Sequence, residues 1–452
     1  MPATAIDSAI FGNLFSTDAM RRVFSDENRV QKYLDFEAAL ATVQARLGII
    51  PEAAAVEIAR HARAEQFDFA QLARDTVSIG YPVLPVVKQL VARCSDGGGQ
   101  YCHWGATTQD VTDTAMILQI REALALVEDD LRVMSQLLAG LARRYRNTLM
   151  AGRSNLQQAV PITFGFKAAV LLAAVERHRA GLAQLRPRLL VGEFGGAAGT
   201  LASLGGEGLR VQAALMAELD LGQPEIAWHT TRDRVAEVAC FLGLVTGTLA
   251  KLATDVKLMM QTEVGEVFEP FAPGRGASST MPQKRNPISC LYILSTASVV
   301  RQQVAALLEA MVEDHERSTG PWEIEWIALP EVFLLSAGAL AQARSLIAGL
   351  HVDADRMRAN LDLTRGLIVS EAVMMGVAPY LGRERAHDLI YDLCRQAIAT
   401  DRPLVELLCE RPDITRHLDR AALERLVDPG NYLGVAGEMI DRVLKLAERR
   451  EE

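Results

Sequence analysis

The sequence contains few aromatic residues and no pair of closely spaced cysteines. Phe, Trp and Tyr make up 6% of its 452 residues, while Ala, Leu and Val are abundant. This composition favours packed helices over strands. The six cysteines show no C-x-x-C spacing, which indicates reduced thiols rather than a disulfide framework.

Basic clusters, ligand motifs and membrane signals are also missing. The net charge is −9 and no dense basic patch is present, so a nucleic-acid partner is not expected. No His-x-x-His spacing, P-loop or dinucleotide fingerprint occurs, so neither a metal nor a cofactor is expected. The first residues do not form a signal peptide, and no uncharged apolar run reaches the ~20 residues of a membrane helix. We therefore expect a cytoplasmic protein without a membrane partner.

Apolar residues recur at spacings of three and four along several segments. The clearest stripe lies within 112–146, and others lie within 238–259 and 297–311. The segments 161–186 and 326–350 are apolar over a broad face. Long helices of this kind pack together as a bundle. The longest stripe consists of Ile117, Ile120, Leu124, Val127, Leu131, Met134, Leu138, Leu141 and Tyr145.

The bundle pattern divides the chain into three parts. We expect an N-terminal helical domain at 1–111, a central bundle at 112–355 and a C-terminal helical domain at 356–452. Within the centre, the segment 238–250 is apolar on more than one face. A helix that is apolar all round is buried, and a subunit interface is one place to bury it.

Three polar loops interrupt the helices. The first, HWGATTQDVTDT at 103–114, precedes the longest helix, and Thr112 or Asp113 could cap that helix. Capping leaves its other hydroxyls and its amide as possible donors to a carboxylate. The second, GRSNLQQAVP at 152–161, also precedes a helix and could be a simple turn. The third, PGRGASSTMPQKRNP at 273–287, is rich in Gly, Ser and Pro. This composition is typical of a mobile lid over a site, although the segment could also be a basic surface loop.

Together these loops resemble those of the fumarase/aspartase superfamily. Its G-S-S-x-M-P-x-K-x-N motif matches ASSTMPQKRN at 277–286 everywhere except at the first glycine. TTQD at 107–110 resembles its T-S-x-D region, and GRSNLQ at 152–157 resembles its G-R-T-H-L-Q region. The segments that are similar to the 3-carboxymuconate cycloisomerase branch are LDFEAALA at 34–41, WHTTRDR at 228–234, GEVFEP at 265–270 and HERSTGPWEIEW at 315–326. Adenylosuccinate lyases share parts of the same pattern.

The resemblance implies an all-α, three-domain subunit whose central long-helix bundle assembles into a homotetramer with shared active sites. It also implies a small polycarboxylate substrate and a carbanion next to a carboxylate, which needs preorganised donors for its developing charge. The implied catalytic residues are Ser278 as base, or as acid in the addition direction, with Lys284, Asn286 and His103, although a lone histidine in a loop is as often structural. The implied substrate-binding residues are Thr107, Thr108, Gln109, Arg153, Ser154, Asn155, Gln157, Ser279 and Met281.

Asn155 departs from the pattern, because many members have a proton-transferring histidine at this position. An asparagine cannot titrate, so the sequence favours a cycloisomerase that adds the substrate's own carboxylate across its double bond. The alternative is a lyase that releases fumarate from a substituted succinate by breaking a C–N or C–O bond. A third hypothesis is a protein that has lost its catalytic activity and keeps a structural role. It predicts loss of Ser278, Lys284 and Asn286, and all three are present.

Overall fold

Helices account for 68% of the chain, which confirms the expected all-α fold. The computed structural model describes residues 4–450. The α-helices of this part are α1 Gly12–Phe15, α2 Asp18–Val23, α3 Asp26–Arg46, α4 Glu52–His61, α5 Phe69–Ile79, α6 Val83–Arg93, α7 Thr108–Arg144, α8 Phe164–Leu189, α9 Gly208–Glu218, α10 Asp233–Met259, α11 Ile288–Glu309, α12 Pro321–Ala348, α13 Ala354–Asp362, α14 Ser370–Leu381, α15 Arg383–Thr400, α16 Leu404–Cys409, α17 Pro412–Thr415, α18 Arg420–Leu426 and α19 Ala436–Glu448.

The longest predicted helix is α7, which begins one turn earlier than the sequence suggested. The carboxylate of Asp110 accepts the backbone N–H of Thr107 at 2.9 Å, as the third residue of a capping box does. Thr112 and Asp113, the residues expected to cap this helix, lie inside it instead. The predicted stripe is buried from Ile117 to Leu138, while its last two members are half-buried.

Contacts within the chain define two compact units, each made of three segments. The first unit comprises Met1–Leu131, His178–Ala250 and Tyr292–Gln342. The second comprises Arg132–Arg177, Lys251–Leu291 and Ala343–Glu452. The three-domain division with boundaries after 111 and 355 stays a prediction.

Each unit has its own apolar core. In the first unit, α3 packs against α4, α6 and α9, and Phe36 and Phe194 lie with ring centroids 6.3 Å apart. In the second unit, α14 packs against α15 and α18, with Val373 and Leu423 fully buried. These cores hold the polar loops at the ends of their helices.

The second polar loop is a β-hairpin, which corrects the expectation that it leads directly into a helix. Strands β1 (Leu149–Ser154) and β2 (Gln157–Thr163) pair antiparallel, with a register shift after Gly152. Asn155 and Leu156 form the turn with φ of 50° and 66°, and such positive values at both positions are the mark of a type I′ hairpin turn. A second pair, β3 (Val267–Phe268) and β4 (His351–Val352), is also antiparallel.

Three helices of the described chain, α10, α11 and α12, are long and apolar enough to cross a membrane by length and composition alone. In α10 and α12, 56% and 61% of the most apolar stretch is buried within this single chain. In α11 the buried share is only 28%. Of these three helices, α11 therefore exposes the largest share of its most apolar stretch.

Candidate active site

Asp110, in the first turn of α7, is the centre of the polar cluster in the first unit. Its side chain is fully buried and accepts four N–H groups. One oxygen accepts the backbone N–H of Gly195 at 2.8 Å and Nε2–H of His229 at 2.7 Å. The other accepts the backbone N–H of Gly196 at 3.0 Å and of Thr107 at 2.9 Å. A single carboxylate thereby joins three loops around the N terminus of α7.

The predicted residue His103 lies just before this helix and bonds to Glu37 of α3. One Glu37 oxygen lies 2.6 Å from Nδ1 of His103, and the other accepts the His103 backbone N–H at 2.9 Å. Burial by itself lowers the pKa of His103, but the charge and hydrogen bond of Glu37, with the charge of Asp110, outweigh it and raise the pKa. The imidazolium form of His103 is therefore stabilised.

Gln109 is buried and bonded to protein groups on both sides of its amide. Its nitrogen donates to the backbone carbonyl of His229 at 2.7 Å and to Asp113 at 3.1 Å. Its oxygen accepts a hydrogen bond from Arg317, which also donates to the carbonyl of Ala197 at 2.6 Å. Thr107 and Thr108 are half-buried beside it. Contact of these three residues with a substrate stays a prediction.

Arg232, on the other side of Asp113, neutralises a group of buried carboxylates. It donates to Asp113 at 2.7 Å and 3.0 Å and to Glu325 at 2.9 Å, and its side chain is fully buried. A third carboxyl group, that of Glu313, lies 3.8 Å from Arg232 without a hydrogen bond. Burial raises the pKa of Glu313 to about 7, against the charge of Arg232.

Glu193 adds a further buried acid beside His229. One of its oxygens accepts the backbone N–H of Trp228, and the other lies 3.8 Å from Nε2 of His229 without a hydrogen-bond partner. Burial raises the pKa of Glu193 to about 7, with help from the charges of Asp110 and Asp113 and against that of His229. This carboxyl group therefore changes its charge near neutral pH.

Asp110, Glu193 and His229 offer three ligand atoms within 4.8 Å of one another, the kind of grouping that can hold a metal ion. A carboxylate has about four lone-pair positions, and the four N–H donors to Asp110 occupy them. We therefore interpret this cluster as a hydrogen-bonded assembly. The expectation that the protein needs no metal stays a prediction.

The hairpin residues lie in the second unit. Arg153 forms a two-pronged ion pair with Glu266, at 2.8 Å and 2.6 Å, and the buried Glu266 also accepts from Asn360 at 2.8 Å. This pair fixes the strand that leads to the turn. Ser154, Asn155 and Gln157, which the sequence predicts to bind substrate, are exposed around the turn.

Ser278 lies in the glycine-rich loop of the second unit. Its Oγ accepts backbone N–H groups from Met281 at 3.0 Å and from Thr280 at 3.3 Å. Two N–H donors aimed at one oxygen stabilise negative charge on it, which is the requirement for a serine that accepts a proton. The loop therefore builds a small anion site around the Ser278 hydroxyl from its own backbone.

The remaining predicted residues of this loop are Asn286, Lys284, Ser279 and Met281. Asn286 donates Nδ2–H and its backbone N–H to the carbonyl of Gly276, at 3.1 Å and 2.9 Å. Lys284 is exposed and forms no ion pair with any carboxylate of residues 4–450, so its ammonium group is available to a ligand. Ser279 and Met281 are exposed as well. Their predicted contacts with substrate, and the choice of Ser278 over Ser279, stay predictions.

Several hydrogen-bond partners of the predicted site residues were not identified from the sequence. Glu37, His229, Glu266 and Arg317 lie in the segments LDFEAALA, WHTTRDR, GEVFEP and HERSTGPWEIEW, which carry the family resemblance. The resemblance identified these segments, but it did not indicate which bonds their residues form. Each acts on a residue far away in the chain, and sequence spacing does not reveal such pairs.

Comparisons with known proteins agree with the loops and the fold. The model of a family described as "Lyase" matches residues 14–301, and that of the adenylosuccinate lyase C-terminus matches residues 366–443. The chain is 56% identical to trans-aconitate decarboxylase 1 of Mycosarcoma maydis, over 98% of this chain and 90% of that protein. It is 48% identical to the 3-carboxy-cis,cis-muconate cycloisomerase of Pseudomonas aeruginosa, over 96% and 95%. The solved 3-carboxy-cis,cis-muconate lactonizing enzyme of Pseudomonas putida superposes with a TM-score of 0.93 at 43% identity, over 98% of this chain and all of that one.

Proposed function

Because the chain belongs to the fumarase/aspartase superfamily, we propose that it catalyses addition or elimination through an enediolate intermediate on a small unsaturated tricarboxylate. The substrate that we propose first is 3-carboxy-cis,cis-muconate, which the enzyme closes to a lactone. The 48% identity to the Pseudomonas aeruginosa cycloisomerase over almost the whole chain supports this choice. Asn155, which cannot titrate, supports it as well, because lactone closure needs only one proton transfer to carbon.

The observation that carries the proposal is the environment of the Ser278 oxygen. In the addition direction, a substrate carboxylate oxygen forms a C–O bond to one carbon of the double bond. The displaced electron pair moves into the neighbouring carboxylate as an enediolate, and the Ser278 hydroxyl then protonates the carbon next to that carboxylate. The N–H groups of Thr280 and Met281 stabilise the alkoxide that this step leaves on Ser278.

The other predicted residues supply charge and hydrogen bonds to the oxygens of the substrate. Lys284 carries a free positive charge for the enediolate, and Asn286 has one amide N–H left after its bond to Gly276. Thr107 and Thr108, at the N terminus of α7, are suited to a second carboxylate, because helix N-termini attract anions. Ser154 and Gln157 provide neutral donors at the hairpin turn.

A second candidate reaction is decarboxylation of trans-aconitate, and the 56% identity to trans-aconitate decarboxylase 1 favours it. In this reaction the C–C bond to a carboxylate breaks, CO₂ leaves, and the electron pair moves into the conjugated system, where a proton is added. Trans-aconitate and 3-carboxymuconate are both unsaturated tricarboxylates. Both reactions therefore use the same donors, and the scaffold does not by itself distinguish between them.

The proposal includes a homotetramer with active sites shared between subunits. Only 28% of the most apolar stretch of α11 is buried within one chain, and Leu291, Val299 and Leu308 on this helix are 51%, 46% and 47% exposed. Other copies of the chain, rather than lipid, would cover this surface in a cytoplasmic enzyme. Sites shared between subunits would also account for catalytic loops that lie exposed in one chain.

The test is a spectrophotometric screen of the purified protein with 3-carboxy-cis,cis-muconate, trans-aconitate and adenylosuccinate. Loss of the 3-carboxymuconate absorbance at an enzymatic rate is the expected result. Release of CO₂ from trans-aconitate alone would favour the second candidate. Release of fumarate from adenylosuccinate alone would contradict both and assign the chain to the fumarate-releasing lyases.

Matched serine variants test the role of Ser278 in whichever reaction is found. Ser278→Ala removes the proton-transfer group and is expected to lower kcat by about 10²–10⁴-fold with little change in KM. Ser279→Ala, one residue further along the same loop, is expected to lower kcat less than tenfold. If Ser279→Ala has the larger effect, the assignment of the base is wrong.

A further inference from the structure

Both carboxylate oxygens of Glu37, on α3, bond to His103. The Nδ1 atom of His103 lies 2.6 Å from one oxygen, and the backbone N–H donates to the other at 2.9 Å. The Glu37 side chain is 1% exposed, whereas that of His103 is 23% exposed. A buried carboxylate thus holds one edge of an imidazole whose other side reaches the surface.

The backbone around His103 is fixed by the same helix. His103 has a φ of 57°, a left-handed conformation that a non-glycine residue adopts only when its surroundings impose it. The amide of Gln44, two turns after Glu37 on α3, donates to the carbonyl of Trp104 at 2.7 Å. Two points on α3 therefore hold the segment in place, so that the position of the imidazole does not depend on a mobile loop.

The charges around His103 favour its protonated form. Glu37 faces it from α3 and Asp110 faces it from α7, and together they outweigh the effect of burial and raise the pKa of His103. The neighbouring thiol of Cys102 stays uncharged, because burial raises its pKa well above the ordinary value. The imidazole therefore keeps its proton at a higher pH than a free histidine does.

The second ring nitrogen of His103 has no partner within the described chain. Nδ1 is bonded to Glu37, and no hydrogen bond joins Nε2 to any of residues 4–450. We propose that Glu37 is a positioning residue that holds His103 as an imidazolium whose Nε2–H binds a carboxylate of the substrate. The inference rests on the proposed function, in that the ligand is a tricarboxylate.

The demand for cations supports this role. A tricarboxylate brings three negative charges, yet Arg153 is already paired with Glu266 and Arg232 with two buried carboxylates. Their charge is balanced before a ligand arrives. His103 is paired as well, with Glu37, but this partner occupies only one edge of the ring and leaves an N–H donor for the ligand in addition to the free ammonium group of Lys284.

The pH dependence of tricarballylate binding tests this inference without requiring turnover. Tricarballylate is a small saturated tricarboxylate, and its affinity for wild-type protein and for Glu37→Gln is measured by calorimetry at pH 5.5 and pH 7.5. At pH 7.5 the variant is expected to bind at least about tenfold more weakly, because His103 has lost its proton. As the pH falls to 5.5 the imidazole of the variant regains its proton, so the difference in affinity between the two proteins is expected to shrink. Recovery at low pH is a result that a purely structural role of Glu37 would not give.

Two further variants complete the test. His103→Gln is expected to bind weakly at both pH values, and Glu27→Gln, at the exposed start of α3, is expected to match wild type. Equal affinity of wild type and Glu37→Gln at pH 7.5, or no binding of tricarballylate to wild type, overturns the inference. If tricarballylate binds as expected while no substrate in the screen is turned over, the proposed reaction fails and the Glu37–His103 pair stands.

Discussion

At the scale of single residues, Glu193 couples folding to pH. Its pKa of about 7 in the folded protein lies above the usual 4.5, so between these values the folded state binds the extra proton. The free energy of unfolding therefore falls as the pH rises through this window. Glu193→Gln keeps an acceptor for Trp228 without the titration, and it is expected to be more stable than wild type at pH 8, by on the order of 1 kcal/mol or more. Urea unfolding at pH 5, 6, 7 and 8 measures the effect.

The control is Glu225→Gln, because the Glu225 side chain is 85% exposed. It is expected to follow the wild-type pH profile. Glu313, whose pKa burial also raises to about 7, keeps its own contribution in both variants. An unchanged slope in Glu193→Gln would show that Glu193 titrates at the same pH in the folded and unfolded chains.

Arg232 gives a second residue-scale prediction. Arg232→Met removes the cation that Asp113 and Glu325 share and leaves their charges buried. Breaking a buried ion pair on one side typically costs about 3–5 kcal/mol. Arg188 is more than half exposed and pairs with Glu237, so Arg188→Met is expected to change the free energy of unfolding far less. Urea unfolding of both variants at one pH measures the difference, and similar losses would contradict a special role for the buried network.

At the scale of elements, the hairpin turn is strained. Leu156 has a φ of 66° and is 79% exposed, so it carries the strain of the left-handed region without gaining burial in return. Leu156→Gly removes this strain and is expected to raise the free energy of unfolding by about 0.5–1 kcal/mol. Leu209→Gly, at a similarly exposed position within α9, is expected to lower it by about 1 kcal/mol. Urea unfolding should show opposite signs for these two exposed substitutions.

Elements differed in how well the sequence predicted them. The long helices follow from apolar periodicity, because each stripe repeats over many turns and is buried, as in α7 from Ile117 to Leu138. The hairpin at Leu149–Thr163 was missed, because its strands are short and its turn residues, Asn155 and Leu156, are not a glycine-containing pair. The start of α7 was misplaced, because the true capping residue, Asp110, is itself bonded to residues more than 80 positions away.

At the scale of the whole molecule, the proposed tetramer would cover apolar surface that one chain leaves exposed. Val299→Glu places a charge on the exposed apolar face of α11 and is expected to dissociate the proposed tetramer, because an unpaired charge is costly to bury in an interface. Activity is expected to fall with it, since the proposal places each active site between subunits. Leu209→Glu, on α9, serves as the control and should leave the assembly intact. Sedimentation analysis measures both variants, and a tetrameric Val299→Glu would locate the interface elsewhere.

Which loops carry the chemistry stays a prediction from the sequence, and the sequence did not predict how the charges of these loops are balanced. Ser278, Lys284 and His103 were identifiable because their motif positions match those of the superfamily. The pairing of His103 with Glu37 joins residues 66 positions apart, and that of Arg232 with Asp113 spans 119. Such pairs depend on how the helices pack, and one sequence carries no record of that packing.

The two ends of the loop that carries Ser278 also lie next to each other. Glu269 lies just before it, and its carboxylate accepts the backbone N–H groups of Ser289 and Cys290, at 3.1 Å and 2.9 Å, in the first turn of α11. Both ends of the loop thus meet at a single buried side chain, and Arg275 within the loop donates to Oγ of Ser289 at 2.6 Å. We therefore expect a movement of the segment between these two anchors to leave the first turn of α11 in place.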